Sequence, residues 1–239
     1  MDYRYIIFDV DDTLLDYRRA ESDALKKVLD ACGISDGERL AEEFAAICLM
    51  EWSRYKMDET ADSEVQQDYH KRYYEYSVKR FEVLKERIST AMTAEEMSRR
   101  YLDAFALERG VLPHVRQVLR MLARSHRLFV ATNGLAFVQR SRLKRIQSYF
   151  SHIYISEEMG MIKPERAFFT RILNEQGIEN AEECLMVGDS LTSDIAGAAS
   201  AGMHTCWFNP NHKQASAQTV PDYEIADLRK LLALLSAES

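Results

Sequence analysis

The chain has 239 residues, 46% of them hydrophobic, enough for one substantial core or a main core with a smaller satellite, and too apolar for a disordered chain. Its formal charge of −7 argues against a general nucleic-acid binder, which concentrates Lys and Arg against phosphates, yet leaves room for a small anion held beside a bound cation. No apolar run approaches the roughly 20 residues that span a bilayer and the N-terminus lacks a signal-peptide profile, so a soluble cytoplasmic protein is expected, with neither membrane nor nucleic-acid polymer as partner.

Tyr5-Ile6-Ile7-Phe8 is a short run of β-formers ending in the acidic turn Asp9-Val10-Asp11-Asp12, the pattern of a buried strand emptying into a loop. From about Arg18 to Leu107 the texture changes: there is no proline, the only glycines are Gly33 and Gly37, and the apolar spacing suits helices. Ala24, Leu25, Val28 and Leu29 make one helix face, and Phe44, Ile47 and Cys48 another. After Gly110 and Pro113, short apolar strands alternate with amphipathic helices, the signal of a parallel sheet. Val115, Val118, Leu119 and Leu122 mark a helix before the strand Leu128 to Ala131. Ile153 to Ile155, Leu185 to Val187 and Thr205 to Phe208 read as further strands. Helices are expected near Phe168 to Gln176, Asp194 to Ala201 and Leu228 to Leu235. The fold class is therefore α/β: a Rossmann-like parallel-sheet core, residues 1–17 and 108–239, with an inserted all-helical cap, residues 18–107. Linkers are expected near Asp16 to Arg19 and Glu108 to Pro113. Cys32, Cys48, Cys184 and Cys206 lack the paired spacing of zinc or redox sites and read as free thiols.

Four segments share one address, the loop just after a strand, where open parallel sheets bind ligands. The first, Asp9-Val10-Asp11-Asp12-Thr13, and the last, Gly188-Asp189 through Asp194, supply carboxylates suited to a hard cation such as Mg²⁺. Between them Thr132-Asn133-Gly134 offers a hydroxyl and backbone N–H groups, and Lys163-Pro164 an ammonium, all natural partners of phosphate oxygens. Singly each is ordinary: an acidic turn, a strand-end turn, a surface dipeptide, an acid at a helix N-terminus.

Together, in this order and with a helical insertion after the first, they resemble the haloacid dehalogenase-like hydrolases over essentially the whole chain. The resemblance implies that Asp9 attacks phosphorus and carries an aspartyl-phosphate, and that Asp11 protonates the leaving oxygen and later activates water. Thr13 would steady the nucleophile's turn and Asp12 fill a turn position. Mg²⁺ would be held by Asp9, by the Asp11 carbonyl and by Asp189, with Asp194 in direct or water-mediated contact. Thr132, the N–H of Asn133 and Lys163 would hold the phosphoryl group of a small phosphomonoester. The stretches Val138-Gln139-Arg140 with Arg142 to Arg145, Ser156 to Gly160 and Thr205 to Pro210 look further like the YjjG/YfnB-type subfamily, whose members are pyrimidine-preferring 5′-nucleotidases. In the cap only Trp52 and Arg80-Phe81 match. The aromatic set Tyr69, Tyr73, Tyr74, Tyr76 and Phe81 could stack on a base or pack the cap itself.

The same fold also carries haloacid dehalogenases, which need no metal, and phosphomutases, which would keep every core residue named. It serves phosphatases of sugar phosphates, phosphoglycolate or FMN, and phosphonate hydrolases with a cap lysine. A catalytically silent binding protein would have lost one of the core residues, and none is missing.

Overall fold

Four residues, Tyr5–Phe8, form the central strand β1 of a six-stranded sheet in the computed structural model, which describes residues 3–34, 37–214 and 219–237. Helices α1 (Tyr17–Ala31), α2 (Gly37–Arg54), α3 (Ser63–Lys85) and α4 (Ala94–Leu107) follow. The chain then returns through α5 (Val115–Leu122), β2 (Arg127–Thr132), α6 (Ala136–Arg142), β3 (His152–Ile155), α7 (Ser156–Met159) and α8 (Arg166–Gln176). It ends with β4 (Cys184–Gly188), α9 (Ala196–Ser200), β5 (His204–Phe208), β6 (Tyr223–Ile225) and α10 (Arg229–Ala237). The order across the sheet is β3-β2-β1-β4-β5-β6 and every pairing is parallel.

Both faces of the sheet are covered, which is why its strands are nearly continuous apolar runs. Ile6 and Phe8 of β1 join Val118, Leu119 and Leu122 of α5 and Leu231 of α10. Tyr5 and Ile7 point the other way, onto Phe168, Phe169 and Ile172 of α8. Each such side chain contributes about 1.5–3 kcal/mol on full burial. One glycine sets the approach of α9 to this layer: a Cβ on Gly197 would lie 2.5 Å from the Phe169 ring and 2.9 Å from Pro164 Cα, so α9 packs directly on the loop carrying Lys163.

The inserted helices have a core of their own. Asp16, Asp62 and Thr93 cap α1, α3 and α4 by accepting backbone N–H groups. The two faces marked by spacing, Ala24-Leu25-Val28-Leu29 and Phe44-Ile47-Cys48, meet there with Phe81, Met97 and Tyr101, and the cluster runs on to Leu135 at the start of α6 and Val138 within it. The two crossing segments lie side by side, with Asp16 N donating to Gly110 O at 3.1 Å and Leu112 N to Leu14 O at 2.9 Å. The stretch read as the first linker is mostly helix, because α1 starts at Tyr17 on its Asp16 cap.

The helix expected over Asp194 to Ala201 is also different. A π-helical turn, Leu191–Ile195, precedes α9, and Ser190 O accepts from both Asp194 N (3.1 Å) and Ile195 N (3.2 Å). The wider turn brings the Asp194 carboxylate back against Gly188, a use typical of π-turns at functional sites. All four cysteines are free; Cys48, Cys184 and Cys206 are buried and Cys32 is half-buried. Among the described residues no helix is long and apolar enough to cross a membrane.

Candidate active site

The carboxyl ends of β1, β2 and β4 bring the four segments together, and Lys163 is their hub. Its Nζ donates to Asp9 Oδ1 (2.6 Å), Asp194 Oδ1 (2.6 Å) and Ala131 O (2.8 Å), which uses all three of its N–H bonds. The Asn133 side chain ties the Lys163 backbone in place, accepting from Lys163 N and donating to Lys163 O, both at 2.9 Å. Asp9 N donates to Val187 O at 2.9 Å, so β4 holds the turn after β1. Gly188 admits no side chain, since a Cβ there would lie 2.3 Å from Asp194 Oδ2. Trp207, 1% exposed, donates its indole N–H to Asp189 O at 2.9 Å and fixes the loop carrying the third carboxylate.

Asp9, Asp189 and Asp194 place carboxylate oxygens within 4.8 Å of one another. Burial, with the repulsion of Asp194 and Asp11, raises Asp9 to about 7 against the pull of Lys163. Burial and repulsion by Asp9 and Asp194 raise Asp189 to about 8. Burial works against the Lys163 ammonium, but Asp194 and Asp9 outweigh it and push it up. Three carboxylates against one ammonium leave negative charge uncompensated in an all-oxygen donor set, which fits a hard divalent cation.

Asp11 stands outside this trio. Arg142 Nη1 donates to its Oδ1, and Gln139 Nε2 donates to its Oδ2 at 2.8 Å and to Thr132 Oγ1 at 3.0 Å. Any part of Asp11 in holding a cation is left to its backbone carbonyl, the atom expected from the sequence. Thr132 and Thr13 are both buried, and Asp12 has a left-handed backbone, φ 56°. Sequence reasoning missed Gln139 and Arg142 as functional candidates. The available signal was their i, i+3 spacing one residue after the apolar Val138, two long polar side chains on a helix opening just after Thr-Asn-Gly.

Above the sheet edge two cavities open. One, about 330 Å³, has Asp9, Lys163, Asp189 and Asp194 as its floor and the cap residues Met57, Asp58 and Thr60 over it. The other, about 680 Å³, runs from Asp11 and Asp189 into the cap, where Tyr17, Glu21, Trp52, Tyr69, Tyr73 and Tyr76 line it. Trp52 meets Tyr76 edge to face at 5.2 Å and Tyr73 at 6.4 Å. The remaining cap aromatics divide as follows: Phe81 packs in the cap core, and Tyr74 is exposed and donates to Glu157 Oε1 at 3.0 Å. Arg54 is exposed beside Glu51, and Arg80 is buried among Phe44, Tyr76, Phe81 and Tyr101. No cap lysine lines either cavity.

A parallel sheet with an aspartate trio and a buried lysine at its carboxyl edge, roofed by inserted helices, is an architecture that sets an acidic, cation-ready site beneath a cap. The family profile of haloacid dehalogenase-like hydrolases matches residues 3–202, and the chain belongs to that family. It is 29% identical to the pyrimidine 5′-nucleotidase PynA of Streptococcus pneumoniae, covering 98% of this chain and 96% of the relative. It is 26% identical to the pyrimidine 5′-nucleotidase YjjG of Escherichia coli, covering 98% and 99%. Among solved structures, the putative HAD-hydrolase YfnB of Bacillus subtilis superposes with a TM-score of 0.83 at 27% identity, over 98% of this chain and 99% of that one. That crystal structure holds magnesium and reveals interdomain movement.

Proposed function

We propose that the chain hydrolyses phosphomonoesters through a covalent intermediate on Asp9, and that its substrates are pyrimidine nucleoside 5′-monophosphates such as UMP, dUMP or dTMP. The observation that carries this is the continuity of the aspartate edge with an aromatic cavity about 680 Å³ in volume, large enough for a nucleoside beside the reacting phosphate. The nucleotidase relatives PynA and YjjG support it.

Asp9 forms a bond to phosphorus as the bond to the leaving oxygen breaks, and Asp11 delivers its proton to that oxygen. Water then attacks the phosphorus of the acyl phosphate, gives a proton to Asp11, and phosphate leaves with Asp9 restored. A carboxylate facing a phosphate dianion at about 4 Å is repelled by roughly 8 kcal/mol at an effective dielectric of about 20. Asp9, Asp189, Asp194 and the Asp11 carbonyl would hold Mg²⁺, which when bound would supply the charge that offsets this repulsion. Lys163 keeps Asp9 and Asp194 from repelling each other, and Thr132 and the Asn133 N–H face the transferring oxygens. The cap excludes water from the site.

The test is kcat/KM with Mg²⁺ for UMP, dUMP and dTMP beside glucose 1-phosphate, phosphoglycolate and FMN. Higher values for the nucleotides are expected. Equal or better values for the others would remove the nucleotide assignment and keep the phosphatase one, and full activity after exhaustive chelation would overturn the part given to Mg²⁺.

A further inference from the structure

Helix α6 carries two long polar side chains into the interior, Gln139 at 2% exposure and Arg142 at none. Burying a guanidinium is costly unless charge and hydrogen bonds compensate. Arg142 is braced on three sides: by Asp11 Oδ1, by the Glu108 carbonyl in the second crossing segment at 3.3 Å, and by the Phe105 ring, 4.3 Å from its centroid. A charge pair alone would need only one of the two Asp11 oxygens. Here Gln139 takes the other, and Gly134 makes room for it, since a Cβ at that position would lie 3.2 Å from Gln139 Nε2. Each Asp11 oxygen keeps a second lone pair, so the clamp fixes the carboxylate without filling the place of its proton.

We infer that Arg142, seconded by Gln139, is the positioning residue for Asp11, holding its carboxylate in line with the leaving oxygen. The inference rests on the phosphatase reading above. When Asp11 gives its proton to the leaving oxygen it becomes anionic, and Arg142 already faces that charge; when water returns the proton, the clamp holds the acceptor still. Loss of Arg142 therefore acts through proton delivery and not through phosphate binding.

Two esters of similar size separate these roles. In 4-nitrophenyl phosphate the leaving oxygen departs without a proton, whereas in benzyl phosphate it needs one. Asp11→Asn should lower kcat/KM for benzyl phosphate by roughly 10²–10⁴-fold and for 4-nitrophenyl phosphate far less. Arg142→Met should show the same selectivity, with a loss at least about tenfold larger on benzyl phosphate, and Arg142→Lys should recover part of it. Adding Arg142→Met to Asp11→Asn should cost no more than about threefold further, since residues acting as one unit are not additive. Equal losses on both esters, or full multiplication in the double variant, would overturn the assignment. If Arg142→Met fails to fold by thermal melting, Gln139→Leu carries the comparison, and an equal loss on the two esters refutes the clamp. If Asp11→Asn itself treats the esters alike, the proton-delivery role of Asp11 falls and takes this inference with it, while phosphatase activity stands.

Discussion

The sheet edge and the cap cavity are built on opposite principles. At the edge many polar atoms are engaged, with three bonds on the Lys163 ammonium, both ends of the Asn133 amide and both oxygens of Asp11, while Thr13 Oγ1, Gln139 Oε1 and Arg142 Nη2 are buried without a partner. Such networks fix geometry, and a displaced member costs far more than its own hydrogen bond. The cavity wall is largely rings in edge-to-face contact and aliphatic side chains, and the polar pair Tyr17 to Glu21 in it is weak, at 3.4 Å. Rings give area and shape and tolerate variation in what they face. On the proposed function, substitutions of Asp9, Lys163 and Asn133 should therefore damage all substrates alike, those of the Asp11 clamp should sort esters by how much the leaving oxygen needs a proton, and those on the wall should sort them by the size and shape of the group they carry.

The largest effect belongs to Asp9→Asn. The amide cannot form the acyl phosphate, so turnover should fall to background for aryl and nucleotide esters together, and the phosphoenzyme trapped by acid quench and mass spectrometry should vanish. The fold should persist, because Asn keeps the volume of Asp. Near-normal turnover by this variant would end covalent catalysis at Asp9.

Next in size is the response of stability to pH and cation. Asp9 is raised to about 7 and Asp189 to about 8, well above an unfolded carboxylate near 4. Groups raised in this direction favour the folded state while they remain neutral, at and below their unfolded value, and that contribution is lost as pH climbs through the folded values. In the presence of chelator these two groups should therefore withdraw on the order of a few kcal/mol between about pH 4 and pH 8. Mg²⁺ should restore stability mainly at the upper end, by about 2.7 kcal/mol at a hundredfold excess over its Kd. Melting curves with and without Mg²⁺ at pH 5.5 and 8.5 check this; an equal shift at both would separate the carboxylate trio from cation binding.

How much of this contrast the sequence discloses follows from the physics of each part. The strands β1, β2, β4 and β5 were legible because a strand buried on both faces has no choice but a run of apolar β-formers. β6 was not: it is three residues long, at the sheet edge, with Glu224 exposed. The aspartates could be placed because a strand end fixes where a motif points. The saturation of Lys163 and the clamp on Asp11 could not, since each joins residues more than 100 positions apart or depends on side-chain directions that no periodicity encodes. The cap aromatics were legible as a cluster and ambiguous as to role. The structure divides them, with Phe81 in the core and Trp52, Tyr69, Tyr73 and Tyr76 on the cavity wall.

A smaller and more selective effect should come from the wall. Trp52→Ala removes a ring that meets Tyr73 and Tyr76, and base stacking on such a ring is worth about 1–3 kcal/mol. Nucleotide kcat/KM should drop about tenfold to a hundredfold, while 4-nitrophenyl phosphate stays within about threefold. A loss equal on both would show that Trp52 supports the cap and reads nothing.

The smallest expected effect lies where cap and core touch away from the chemistry. His70 Nε2 sits 2.9 Å from Ser156 Oγ, and Tyr74 donates to Glu157 Oε1 at 3.0 Å while the other oxygen of Glu157 accepts from Ala136 N at 2.7 Å. The Tyr74 contact is exposed, so its net worth is about 0.5–1.5 kcal/mol, and Glu157 keeps its bond to the start of α6 when the tyrosine hydroxyl is gone. Tyr74→Phe should therefore leave kcat unchanged and loosen only the seating of the cap. Hydrogen exchange in α3 should quicken by about twofold to tenfold, and KM should rise by no more than that. A fall in kcat with KM and exchange unchanged would mean instead that Glu157, through α6, reaches the Asp11 clamp, and the boundary drawn between the edge and the wall would have to be moved.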